Sequence, residues 1–370
     1  MTDGYQVEVN ALVLRSPEKP MEVERIRLRD VGEGDIRVRI DATGVCHSDL
    51  SLARGVLAQQ LPAVLGHEAC GTVVETGSDV MDLREGDRVI LLWITPCGHC
   101  VSCARDEPHL CVNGSARGAE PYALDSSGEP VYPGLTVGSF AEQTVVPAAA
   151  AVKVPDDIST DDAALLGCAI TTGVGAVTKT AAVTPGSSVL VVGLGGVGLA
   201  AVQGARLVGA TNVIAVDRNP DKASLATALG AHHFVPAGDD TKKAVRALTG
   251  KQGVDFAFDC VGSSRTIRDA WGMTRRGGTA CVVGIGGKDD QVSFSALELF
   301  HFARTLVGCV AGSLDANHDL PRYFDHIRDS RLDLAAMVTG RGALSDVEFA
   351  LTEMAAGRGI RTLVVPEDAR

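Results

Sequence analysis

Ser188-Val189-Leu190-Val191-Val192-Gly193-Leu194-Gly195-Gly196-Val197-Gly198 decides the fold. A short apolar strand runs into a G-x-G-x-x-G turn, and a helix of small residues follows over 197–208. The next strand, 213–216, ends in Asp217, about 20 residues on, as a dinucleotide fingerprint requires. Gly193 makes the tight turn in this reading, Gly195 lets the backbone approach a pyrophosphate, and Gly198 lets helix and strand pack closely. Gly196 and Val197 open the helix, whose free N–H groups and positive dipole end suit phosphate. Asp217 would accept hydrogen bonds from the adenosine ribose and repel a 2′-phosphate, which favours NAD; Arg218 beside it leaves NADP open, and Lys222 lies on the same cofactor side. Outward from this stretch, strand-like runs at 233–235, 254–258, 280–283 and 306–310 alternate with helical ones such as 222–229 and 242–248. About six strands alternating with helices predict an α/β, doubly wound Rossmann domain.

Before residue 163 the texture differs. Ile36, Val38 and Ile40 alternate with Arg37, Arg39 and Asp41, a strand with one face buried. Residues 71–75 and 87–92 are further strand candidates, so this part reads as β-rich. At 370 residues the chain has room for two domains or three, and 45% apolar with 22% charged residues is ordinary for a globular protein. The net charge of −12 makes nucleic acid a poor partner. Residues 1–10 lack the apolar core of a secretory signal, and no run of about 18 apolar residues exists, so a cytoplasmic protein with no membrane partner is expected. Thiols stay reduced there, so the ten cysteines are read as metal ligands or catalytic groups before disulfides.

Four of them, Cys97, Cys100, Cys103 and Cys111, follow C-x2-C-x2-C-x7-C. Four thiolates so spaced can close a tetrahedron on Zn²⁺ with no open position, which makes a structural site; an iron–sulfur cluster is the minor alternative. His99 and His109 nearby read as solvated loop residues. Cys46, His67 and Cys168 are far apart in the chain, but together they would form a Cys₂His set, a catalytic zinc arrangement that keeps one position open for an alcohol or carbonyl oxygen.

The segments GVCHSD (44–49), GHE (66–68), the four-cysteine lobe, GC-x3-TG (167–173) and GLGGVG (193–198) occur in the order and spacing of the medium-chain, zinc-dependent alcohol dehydrogenases, which the chain resembles from about Ala11 to Val365. The resemblance implies a β-rich, GroES-like catalytic domain over 1–169 with a structural lobe at about 95–113, a Rossmann domain over 170–310, and a return to the catalytic domain over 311–370. It places the active site in the cleft between them and implies two zinc ions per subunit. Cys46, His67 and Cys168 would hold catalytic zinc, with Glu68 beside it as a transient ligand. Asp49 would orient His67. Ser48 would hydrogen-bond the substrate oxygen and start the proton relay. Thr172 would approach the nicotinamide, Arg361 would reach the pyrophosphate, and Trp93 is either pocket lining or ordinary core.

Two positions depart from the family. Ser51 stands where some class I enzymes carry the last relay histidine, so the proton would leave through ribose and water or through His47. His47 itself occupies a position where many relatives have a pyrophosphate-binding arginine. The Cys-His-Ser-Asp form resembles the class III and bacterial branches, some of which oxidise a thiol adduct of formaldehyde; Arg117 is the cation singled out as an anchor for such a thiol's carboxylates. The expected function is therefore an NAD-dependent zinc alcohol dehydrogenase. Its alternatives are a glutathione- or mycothiol-dependent formaldehyde dehydrogenase, action on bulky or aromatic alcohols, an enzyme that keeps and recycles its cofactor, and a non-catalytic NAD/zinc-binding protein. The family implies a homodimer or homotetramer. The long segment 112–139 resembles that of the dimeric types, and the strand at 306–310 is a candidate subunit edge. Cys70, Cys260, Cys281 and Cys309 read as small buried hydrophobes.

Overall fold

The computed structural model describes residues 4–17 and 19–366. Residues 1–3 of the polar amino-terminal stretch therefore lie outside the described part. The chain forms two compact units. The first comprises 1–168, 315–329 and 338–370; the second comprises 169–314 and 330–337.

In the second unit six parallel strands lie in the order His233–Pro236, Asn212–Asp217, Ser188–Val192, Val254–Asp259, Thr274–Val282, Thr305–Gly308. The order reverses beside Ser188–Val192, so the phosphate-loop strand is central, where doubly wound sheets bind ligands. Leu190, Val192, Ile214, Val216, Val254 and Ala257 build one core layer. Strand Thr274–Val282 begins six residues before the apolar run that announces it. Its first half, Arg275 to Gly277, is exposed and so carries no apolar signal. The last strand is shorter than its apolar run: the Cys309 N–H still reaches the Val282 carbonyl, and from Ala311 the chain turns left-handed.

The first unit holds a closed barrel of Val7–Leu14, Glu22–Leu28, Ala123–Leu124, Pro130–Pro133 and Ala63–Val64. A seven-stranded sheet is built on Asp35–Gly44, which pairs with Glu68–Thr76, Gln143–Pro147 and Arg361–Val364. Ile36, Val38 and Ile40 are fully buried while Arg37, Arg39 and Asp41 are half-buried, the alternation the sequence predicts.

The expected single return to the first unit at 311 differs from the observed path. The return begins at 315, and residues 330–337 go back to the second unit. The buried Gln203 amide explains this excursion: Nε2 donates to the Asp333 carbonyl at 3.2 Å, and Oε1 accepts from the Asp333 N–H at 2.7 Å. No helix among the described residues is long and apolar enough to cross a membrane.

Candidate active site and metal centres

In the first unit the short helix His47–Ala53 has Cys46 as its N-cap, His67 directly precedes strand Glu68–Thr76, and Cys168 lies three residues beyond helix Thr160–Leu165. Their donor atoms lie within 4.8 Å of one another, and all three residues are buried. The fully buried Asp49 carboxylate sets this arrangement. Oδ2 accepts the Cys46 N–H at 3.0 Å, and Oδ1 accepts the Gly66 N–H and the His67 Nδ1–H, both at 3.0 Å. One carboxylate thus ties the helix start to the strand that carries the histidine. With Nδ1 engaged, His67 Nε2 has no hydrogen-bond partner among the described residues and is the nitrogen left for a metal.

Electrostatics favour a cation here. Burial works against the His67 imidazolium, but the Asp49 carboxylate outweighs it and holds the ring well above its ordinary pKa; a bound metal would take the place of that proton. The adjoining Cys168 thiol, with the Arg361 guanidinium and His67, holds the Cys46 thiol well below its ordinary value. Two thiols, Asp49 and Glu68 face one guanidinium in a buried space. Two sulfurs and an orphaned imidazole nitrogen fit zinc with one position open.

Arg361 is 2% exposed, with Nε 3.2 Å from Glu68 Oε1 and Nη2 3.7 Å from Cys46 Sγ. Its guanidinium thus faces Glu68 and the Cys46 sulfur; the sequence reading has the same side chain reach a pyrophosphate. Nothing in the sequence around 359–362 signals that burial; it follows from strand Arg361–Val364 pairing beside Asp35–Gly44. Glu68 is likewise held by Arg361. Ser48 is half-buried, its Oγ 3.9 Å from Cys46 Sγ. Ser51 follows three residues later on the same helix and hence the same face, while His47 is exposed.

Cys97, Cys100, Cys103 and Cys111 also bring their sulfurs within 4.8 Å, in a half-buried lobe of short turns. The backbone N–H of His99 and the Asn113 amide, 3.4 Å from Cys97 Sγ, hold the Cys97 thiol down to about 5. Asn113 is a residue the sequence reading missed, for no spacing rule marks it. His99 is exposed and bonds the Cys97 carbonyl at 2.7 Å. All ten cysteines are free of disulfides.

In the second unit Gly193 adopts φ +90°, a left-handed conformation suited to glycine. A Cβ on Gly198 would sit 1.8 Å from the Gly193 carbonyl, so the loop closes on the helix Gly196–Leu207 only without a side chain there. Over Gly195 there is open space, the room a pyrophosphate needs. Asp217 Oδ2 accepts the Leu194 N–H at 2.7 Å, and Lys222 Nζ is 3.4 Å from the same oxygen. Arg218 is exposed, and Thr172 lies half-buried on helix Ala169–Gly175.

Trp93 packs partly buried against the core of the first unit. Arg117 is bound to Asp35 at 2.6 Å and lies 3.5 Å from Glu120, so its charge is already met. Arg117, singled out in the sequence as an anchor for a thiol's carboxylates, is here paired with two acids of its own unit.

Comparison with known proteins agrees with this geometry. Residues 32–156 match the alcohol dehydrogenase GroES-like domain, and residues 196–329 match the zinc-binding dehydrogenase domain. An S-(hydroxymethyl)glutathione dehydrogenase of Escherichia coli O1:K1 / APEC is 34% identical over 96% of this chain and 98% of its own. The enzyme of that name from Photobacterium damsela subsp. piscicida is 35% identical over the same shares. Among solved structures, an alcohol dehydrogenase zinc-binding domain protein from Burkholderia ambifaria superposes with a TM-score of 0.91 at 32% identity, covering 97% of this chain and 99% of that one. Benzyl alcohol dehydrogenase from Acinetobacter calcoaceticus gives 0.90 at 28% identity, covering 98% and 100%. The chain belongs to the zinc-dependent, medium-chain alcohol dehydrogenase family, NAD-using oxidoreductases that interconvert an alcohol and its aldehyde or ketone.

Proposed function

We propose that this enzyme oxidises a free alcohol, one that needs no thiol adduct, to its aldehyde or ketone. The observation that carries this reading is the buried convergence of Cys46, His67 and Cys168 beside Ser48, while Arg117 is already paired with Asp35 and Glu120. Cys46, His67 and Cys168 hold the catalytic zinc, which when bound supplies a Lewis acid for the substrate oxygen. Asp49 keeps the His67 ring turned so that Nε2 is offered. Ser48 would take the proton of the substrate hydroxyl and pass it on, with His47 beside it as the next carrier; Ser51 lines the same helix face as Ser48.

Gly193, Gly195, Gly196, Val197 and Gly198 would hold the pyrophosphate of NAD, and Thr172 would serve its nicotinamide. Asp217, set by the Leu194 N–H and Lys222, takes the ribose hydroxyls. Arg361 keeps Glu68 in place beside the metal. A second zinc, bound by Cys97, Cys100, Cys103 and Cys111, is structural, giving two per subunit. Strand Thr305–Gly308 ends the sheet with Leu306 exposed, which supports a homodimer or homotetramer built on that edge. That none of the ten cysteines is in a disulfide supports a reducing compartment, the cytoplasm.

A second reading is favoured by the names of the curated relatives: an S-hydroxymethyl thiol as substrate. A panel of aliphatic and aromatic alcohols with NAD, beside formaldehyde with and without glutathione or mycothiol, separates the two. NADH from alcohols alone is expected. NADH that appears only with formaldehyde and a thiol overturns the first reading, and silence throughout leaves a binding protein. Metal analysis giving one zinc per subunit would remove one of the two metal assignments.

A further inference from the structure

Of the cysteines outside both metal sets, Cys70 and Cys281 are buried, as the sequence reading has them, while Cys260 and Cys309 are half-buried. In the first unit four hydroxyls are buried and satisfied. Thr43, Thr136, Ser139 and Thr144 are at most 4% exposed, and each has a hydrogen-bond partner. All four belong to the segment 134–140 or hold it. Leu135 and Thr136 follow one another at φ of 46° and 65°, a backbone conformation that is costly for residues with a Cβ. Thr136 Oγ1 donates to the Trp93 carbonyl at 2.9 Å, and Thr144 Oγ1 donates to the Val137 carbonyl at 2.6 Å. The strained turn is thus pinned from two sides.

The turn delivers Ser139 to a fixed place. Its Oγ is 2.7 Å from Thr43 Oγ1, on strand Asp35–Gly44 and three residues before Cys46. Its N–H donates to the Gly66 carbonyl at 3.0 Å, one residue before His67, and the Phe140 N–H donates to the Leu65 carbonyl at 2.9 Å. Gly66 has φ +89°, and a Cβ there would lie 2.6 Å from Ser139 Oγ and 2.7 Å from the Phe140 nitrogen. The two segments therefore close on each other only because residue 66 is glycine. Gly66 is gripped at both ends: its N–H by Asp49 Oδ1, its carbonyl by Ser139. Asp49 also holds the Cys46 N–H, and Ser139 also holds Thr43. The chain leading to Cys46 and the chain leading to His67 are tied twice, once by a carboxylate and once by a pair of neutral hydroxyls.

We propose that Ser139, paired with Thr43, is a positioning residue for the catalytic metal, fixing the spacing of the Cys46 and His67 backbones independently of Asp49. This rests on the assignment of Cys46, His67 and Cys168 to zinc under the function proposed above. The two ties divide the work. Asp49 orients the His67 ring and supplies charge; the hydroxyl pair sets the distance across which the donors face one another. Zinc bonds to nitrogen and sulfur have nearly fixed lengths, about 2.0 and 2.3 Å, so a change in that spacing is felt as affinity.

The test uses the full-length, zinc-loaded protein. Thr43→Val keeps the shape of the side chain and takes the partner from Ser139 Oγ; Thr43→Ser keeps the pair. Thr274→Val is the control: it removes a buried hydroxyl of the second unit, which donates to the Ala270 carbonyl at 2.8 Å. Zinc release to a chromophoric chelator is followed in time. Loss of iodoacetamide protection at Cys97, Cys100, Cys103 and Cys111 marks the phase that belongs to the lobe. Thr43→Val and Ser139→Ala should each speed release from the catalytic site by about fivefold or more, with the lobe phase unchanged. Thr43→Ser should restore the original rate. With cobalt in place of zinc, the visible ligand-field bands should shift in Thr43→Val and stay in place in Thr274→Val. Unchanged release and bands in Thr43→Val, an equal rise in both phases, or the same effect from Thr274→Val overturns the proposal. Unaltered protein that takes up zinc in the lobe alone overturns the metal assignment as well, so the two failures are told apart. If Ser139→Ala fails to fold, Thr43→Val and Thr43→Ser decide.

Discussion

Two sets of side chains that could hold a metal reach the same closeness by opposite routes. The lobe at 97–111 draws four sulfurs together from 15 residues of turn, half-exposed, with the backbone itself supplying N–H groups to the sulfurs. Cys46, His67 and Cys168 come from three separate elements and are buried, held in register by the Asp49 carboxylate. A local motif carries its geometry with it, and a dispersed one borrows geometry from the fold. Loss of a ligand should therefore be felt as stability in the first and as chemistry in the second.

The largest expected effect lies at the dispersed set. Cys46→Ser should lower kcat by about 10³-fold or more, since a Lewis acid supplies several kcal/mol to the transition state. NAD binding, followed by fluorescence titration, should survive, because the glycine loop belongs to the second unit. Retained turnover would break the comparison. Next is the lobe: Cys111→Ser should lower the melting midpoint by roughly 5–10 °C with one zinc lost, while kcat of the fraction still folded changes little. A kcat collapse with an unchanged midpoint would reverse the two roles.

Asp49→Asn keeps the shape and removes the charge. It should cost about 10- to 100-fold in activity or in catalytic-zinc affinity, measured by competition with a chromophoric chelator. Asn113→Ala is the smallest. It takes one donor from Cys97 and should speed chelator-driven zinc release from the lobe by a few-fold, with activity unchanged. Equal effects of Asn113→Ala at both sites would show that the two sets are coupled.

The same contrast governs what could be read beforehand. The phosphate loop was legible because strand, glycines, helix and Asp217 stand within 30 residues and each has a local reason. The four-cysteine lobe was legible from spacing alone. Cys46, His67 and Cys168 could be grouped by residue type, but the grouping needed the fold to carry it, since no spacing rule spans that distance. The contacts of Arg361 with Glu68 and Cys46 were not legible, because these partners lie some 300 positions earlier and only strand pairing brings them together.

The hold of Gln203 on Asp333 bears on any attempt to exchange parts between relatives. A splice at 169 and 314 looks natural on the linear map, yet it would strip the nucleotide-binding module of 330–337 and leave a fully buried amide facing foreign sequence. Chimeras that transplant cofactor preference should carry that eight-residue excursion with the donor module. The wiring makes the module a discontinuous part, to be moved as two pieces.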